Sequence, residues 1–84
     1  MHSGRFDLHV HVTRHAAERM TERNISHNEL IELLDTGTTR YKDDARLWIA
    51  KAMKDRDDNL VCAAVILEDR LIVKTVMHHF QWEN

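Results

Sequence analysis

From Phe6 to Thr13 the chain alternates strictly, with Phe6, Leu8, Val10 and Val12 set against Asp7, His9, His11 and Thr13. That is the period of a half-buried strand. The period then lengthens. Ala16, Ala17 and Met20 follow Thr13, whose hydroxyl suits an N-cap, and this predicts a helix over about Arg14 to Arg23. Ser26 and Glu29 have the spacing of a capping box, which opens a second helix with Leu30, Ile31, Leu33 and Leu34 turned inward. Gly37 stands where a helix-ending C′ glycine belongs.

Beyond Thr38 the pattern is that of strands. Thr38–Lys42 reads as a short one ending at an Asp43-Asp44 turn, and Arg46–Met53 as a second. The polar stretch Lys54–Asn59 is a loop. Leu60–Leu67 is apolar on both faces, as a central strand requires, and Glu68-Asp69-Arg70 turns it into Leu71–His79. Facing Leu67 against Leu71 sets Val65 against Val73, Ala63 against Thr75 and Val61 against Met77. Carried to the preceding strand, this register puts Trp48, Ala50 and Ala52 under the helices. Lys51, Lys74 and His78 fall on the other face with Ile49, Cys62, Ile72 and Val76. A one-residue slip would reverse the assignment. The expected fold is α+β: two N-terminal helices packed on a four-stranded antiparallel sheet, with an extra N-terminal strand as an option.

Eighty-four residues make a single domain, 1–84, with too little core for a deep cavity. The longest apolar run, Leu60–Leu67, is too short for a bilayer, and the first residues carry no secretory pattern. One cysteine, Cys62, cannot form an internal disulfide, which points to the cytoplasm. The net charge of −2 is evenly spread, which argues against a protein held to nucleic acid chiefly by phosphate contacts. Seven histidines stand out.

Three histidine groups have candidate chemistry. His15, Arg19 and Arg23 fall within an ~80° stripe of the first helix. An imidazole with two guanidiniums suits metal-free phosphodiester cleavage. The same stripe also reads as a solvated edge with Glu18 and Glu22 as counter-charges. His78 and His79 end the last strand and should point to opposite faces, so one of them would share the surface of Lys51 and Lys74. His9 and His11 share a strand face but lack the further ligands of a zinc site, so no metal is expected. Cys62 reads as a core residue, and Tyr41 and Trp48 either stack bases or pack the core.

At the run His15-Ala-Ala-Glu-Arg19-Met-Thr-Glu-Arg23, continued through Asn24–Gly37, Arg40–Asp43 and Leu60–Phe80, the chain resembles a small bacterial domain family of the BECR clan. That clan joins barnase, EndoU, colicin E5/D and RelE-like ribonucleases. The resemblance covers roughly residues 8–83. It implies two helices on a four-stranded antiparallel sheet and toxin-like cleavage of RNA without metal or cofactor. His15, Arg19 and Arg23 match its helical pattern, and His78 or His79 a catalytic position at the end of the last strand. Arg40 and Lys51 are weaker matches, with Lys74 beside them as a substrate contact.

The expected activity is therefore that of an endoribonuclease. A histidine would deprotonate a ribose 2′-OH, and cationic side chains would stabilise the phosphate on the way to a 2′,3′-cyclic product. RNA, free or on the ribosome, is the expected partner, with an antitoxin protein or a second copy of the chain as further ones and no membrane. The rival is a non-catalytic domain that uses its open sheet face for protein partners or self-association. A histidine-based metal module is a weaker third.

Overall fold

The computed structural model describes residues 1–83. Among these, the chain forms β1 (His2–Ser3), β2 (Leu8–Val12), α1 (Arg14–Glu22), α2 (His27–Thr36), β3 (Thr38–Tyr41), β4 (Arg46–Lys51), β5 (Leu60–Leu67) and β6 (Leu71–Phe80). Both helices begin as their caps require. Thr13 Oγ1 accepts from the Ala16 amide at 3.1 Å, and Ser26 and Glu29 exchange both capping-box bonds at 2.9 and 3.1 Å.

The sheet departs from the expectation of two helices on four antiparallel strands. One curled, mixed sheet of six strands runs in the order β1-β2-β6-β5-β4-β3, with the two short helices as the minor component. β2 joins it parallel to β6, Val10 to Val12 lying beside Leu71 to Val73, and β1 adds antiparallel to β2. Alternating residues identify a strand, but carry no information on a partner so far along the chain or on its direction. The parallel pair is reached by a crossover through helices and strands, as parallel pairing demands.

The face assignment is also corrected. β4 and β5 pair with Leu47 opposite Val65, Ile49 opposite Ala63 and Trp48 opposite Ala64. Leu47, Ile49, Val61, Ala63, Val65, Leu71, Val73 and Val76 therefore form the core with Leu30, Leu33 and Leu34 of α2. Trp48, expected inside, is 46% exposed on the opposite, outer face. Ile49 and Val76 are core residues, while Cys62 and Ile72 lie on the outer side as expected. The eight-residue loop 52–59 between β4 and β5 allows either register, and a slip of one residue exchanges the faces.

After β6 the chain turns back over the outer face. The Glu83 carbonyl accepts from Arg40 Nη1 at 3.2 Å, so residues 81–83 cross β5 and β4 to reach β3. Ala50 and Cys62 are buried on that side. At the other end, Arg5 Nη1 donates to the carbonyls of Leu34 and Gly37 at 3.2 and 2.7 Å, closing the C-terminus of α2. The buried Ser3 hydroxyl donates to Asp35 at 2.6 Å.

Gly37 ends α2, but not as a left-handed C′ glycine. Its φ is −74° and ψ 166°, accessible to any residue. What excludes a side chain is space. An added Cβ would lie 2.6 Å from the Leu33 carbonyl oxygen and 2.7 Å from Ile49 Cγ2. We expect Gly37→Ala to destabilise the fold by about 1–3 kcal/mol, the usual cost of overpacking. A denaturant midpoint equal to that of the wild type would show that α2 moves away from β4 without cost.

Candidate functional site

β6 carries one residue more than its partner β5 in two places, and the two irregularities lie where the candidate residues cluster. Val65 faces Val73 but Ala64 faces Thr75, so Lys74 is the extra residue. Cys62 faces Met77 and Leu60 faces Phe80, so His78 and His79 together oppose Val61. Bulges of this kind re-aim side chains.

At the first bulge, His15 at the start of α1 meets β6. Its Nε2 lies 3.2 Å from Thr75 Oγ1, and Thr13 Oγ1 donates to the Lys74 carbonyl at 3.2 Å. His15 is exposed and is held by this single side-chain contact. Lys74 opens onto the outer face, where it lines a depression of about 290 Å³ with Lys42, Arg46, Trp48, Ala64 and Ile66. A second groove of about 450 Å³ adjoins through Lys42 and Trp48, and its walls are Arg40, Tyr41, Phe80 and Trp82. The Arg40 guanidinium stands 4.4 Å from the centre of the Trp82 ring, and Phe80 meets Trp82 edge-on at 5.0 Å. Tyr41 and Trp48 are the most exposed aromatics of this face, at 56% and 46%. Arg46 is partly neutralised by Asp43, whose carboxyl its side chain and the Ala45 and Arg46 amides lower to about 2.

At the second bulge, His78 Nδ1 lies 3.1 Å from Asp58 Oδ2. Arg56 grips the same carboxylate with Nε at 3.1 Å and Nη2 at 2.6 Å, and donates to the carbonyls of Arg23 and Asn24. Asp58 also receives the His79 amide on its backbone carbonyl at 2.9 Å. Consecutive strand residues normally diverge, yet the His78 and His79 rings stand 4.5 Å apart. The cause is His79 itself, with φ at +54°. The other left-handed non-glycine positions among the described residues, Asp7, Asn24, Asp55 and Asn59, are turn residues that tolerate that region. A histidine adopting it inside a strand stores strain, and such strain gathers at functional sites.

The remaining expected site residues have protein partners. Arg19 forms an ion pair with Glu22. Arg23 Nη1 donates to the Val76 carbonyl at 3.0 Å, satisfying β6 where β2 has left it, and Arg23 lines one cavity with His78 and His79 but not with His15. Lys51 turns to α2, at 2.5 Å from Thr36 Oγ1 and 3.2 Å from Glu32, rather than to the face of Lys74. His9 is exposed on β2 opposite His2 of β1. Cys62 is buried, and burial pushes its thiol up to about 12, leaving it unreactive.

The structure gathers His78, His79 and Arg23 around one cavity at the far end of β6, places Lys74 and Arg40 in depressions of the outer face, and holds His15 against Thr75. Asp58 and Arg56 were not singled out from the sequence, because the run Asp55-Arg-Asp-Asp58 reads as an ordinary solvated loop. The one available signal was local, an arginine two residues before an aspartate.

These features define a strand-rich domain with two capped helices on one side of a curled sheet and an open aromatic and basic face on the other. The chain belongs to the family described as Domain of unknown function (DUF4258), whose sequence profile matches residues 12–78. Nothing in that match ties it to the BECR ribonuclease clan. No curated protein and no solved structure matches the chain. No helix among the described residues is long and apolar enough to cross a membrane.

Arg56 holds the Asp58 carboxyl well below the usual carboxylate range, against the opposing effect of burial and with help from His78. A depressed carboxyl contributes stability above its unfolded value, and this is lost as pH falls through the folded one. The difference in melting temperature between wild type and Asp58→Asn should hold steady from neutrality to mildly acid pH. It should shrink below the ordinary carboxylate value of 3.8. A difference independent of pH would mean that the charged pairing adds nothing to stability.

Proposed function

We propose that this domain binds single-stranded RNA across its outer sheet face and cleaves it at the rim beside His15. One observation carries the reading. In a chain of net charge −2, Arg40, Lys42, Arg46 and Lys74 gather on one face, interleaved with Tyr41, Trp48 and Trp82. Exposed rings give bases a surface to stack on, and the cations between them follow the phosphates. A double helix would keep its base faces hidden from such a surface. The resemblance to the BECR ribonucleases points the same way.

For cleavage, His15 accepts the 2′-OH proton, for which its contact with Thr75 Oγ1 is a hydroxyl-sized precedent. The 2′-oxygen attacks the adjacent phosphorus as the bond to the 5′-oxygen breaks. Lys74 neutralises the phosphate and supplies the proton the leaving oxygen requires. The products are a 2′,3′-cyclic phosphate and a free 5′-hydroxyl.

Fluorescence anisotropy with a short labelled RNA tests the binding half. Base stacking on an aromatic ring contributes about 1–3 kcal/mol, so Trp48→Ala should weaken binding roughly tenfold while the circular-dichroism melt stays unchanged. Binding should fall with salt at a log–log slope of about −0.7 for each phosphate contacted. His15→Ala should leave binding intact and slow formation of cyclic-phosphate ends about 10²–10⁴-fold. Absence of RNA binding at low salt would overturn the proposal. The exposure of Tyr41 and Trp48 also suits a protein-facing surface, and a homodimer that dissociates on Trp48→Ala would establish that reading instead.

A further inference from the structure

The far end of β6 is chemically unlike the outer face. Its cavity, about 440 Å³, is lined by the carboxylates Glu22, Asp55, Asp57 and Asp58 against two guanidiniums, Arg23 and Arg56. Arg56 is paired with Asp58 and Glu22 with Arg19, which leaves Asp55 and Asp57 against Arg23. The balance is negative. It disfavours a phosphate and favours a cation, which separates this place from the RNA-binding reading above.

We propose that Asp58, His78 and His79 form a binding site for a divalent transition metal ion of the zinc class. One ligand atom from each lies within 4.8 Å of the other two. His78 Nδ1 and Asp58 Oδ2, 3.1 Å apart, are already close to the ~3.3 Å edge of a tetrahedron built on metal–ligand bonds of ~2.0–2.1 Å. The third atom, on the exposed His79 ring, lies within 4.8 Å of both. Two imidazoles and one carboxylate select zinc, cobalt or nickel over calcium or magnesium, which prefer all-oxygen sites.

Three features prepare the site. The left-handed φ of His79 brings two consecutive imidazoles to one side of a strand, an arrangement regular pairing forbids. The bond from the His79 amide to the Asp58 carbonyl fixes the loop against β6 at this point. Arg56 orients the carboxylate through both oxygens, and each carboxylate oxygen retains a lone pair beyond the one Arg56 uses. A bound ion replaces the hydrogen bond between His78 and Asp58 and ties the β4–β5 loop to the end of β6. The three protein ligands leave a fourth position open to water.

The test is a titration of the full chain with Co²⁺ and with Zn²⁺, followed by visible spectroscopy and calorimetry. The expected result is one ion per chain, with the d–d absorption of a four-coordinate cobalt centre and a raised melting temperature. His79→Asn removes the imidazole with a residue that tolerates left-handed backbone. An outer partner of a metal ligand is worth about 10–100-fold in affinity, so losing a direct ligand should cost at least as much. Asp58→Asn should behave alike, whereas His9→Ala, on the distant β2, should bind as the wild type does. Failure of the wild type to bind either ion saturably, or full affinity in His79→Asn, would overturn the proposal. RNA binding through Trp48 is measured without added metal, so the two proposals fail separately.

Discussion

The pairing of β5 with β6 organises the molecule, and its two interruptions matter as much as its regular part. The regular stretch, from Leu67 with Leu71 to Val65 with Val73, sets the core face and gives β2 an edge to join. Past it, one extra residue in β6 shifts the register, and β2 departs at the same level. α1 then takes over that edge, with Thr13 and Arg23 bonding the freed carbonyls of Lys74 and Val76. Since unpaired backbone groups are costly when removed from water, this replacement allows a strand of ten residues to lie beside one of five. Every candidate for chemistry on β6 lies at this bulge or beyond it.

Local signals were legible in the sequence because their causes are local. Thr13, Ser26 and Glu29 cap their helices through contacts spanning three residues, so nothing distant can alter them. The tight turn at Glu68-Asp69-Arg70 likewise specified the first pairs of β5 with β6. Legibility ends at the first bulge, because an inserted Lys74 looks like any other alternating polar residue. The same holds for Trp48. A bulky apolar residue in a strand reads as core, and only the register across the long β4–β5 loop decides that Leu47 and Ile49 go inward instead.

The candidate site divides by the same rule. His15 was legible from its helical spacing, which sets it at the exposed start of α1 beside β6. The His78–His79 pair was legible as a pair, but alternation assigned the two rings to opposite faces. A positive φ at His79 cancels that alternation, and the alternating pattern itself carries no sign of it. Asp58 was hidden among neighbouring aspartates, and its partner on the strand lies twenty residues away.

Both tryptophans of the chain belong to the outer face, Trp48 in mid-strand and Trp82 on the tail that crosses it, and neither contributes to the core cluster. Intrinsic emission is therefore blind to the interior. The cation at Arg40, 4.4 Å from the Trp82 ring, makes that one fluorophore sensitive to its immediate surroundings. The molecule thus has an optical probe built into one surface. The packing of the interior is followed instead by far-ultraviolet dichroism or calorimetry.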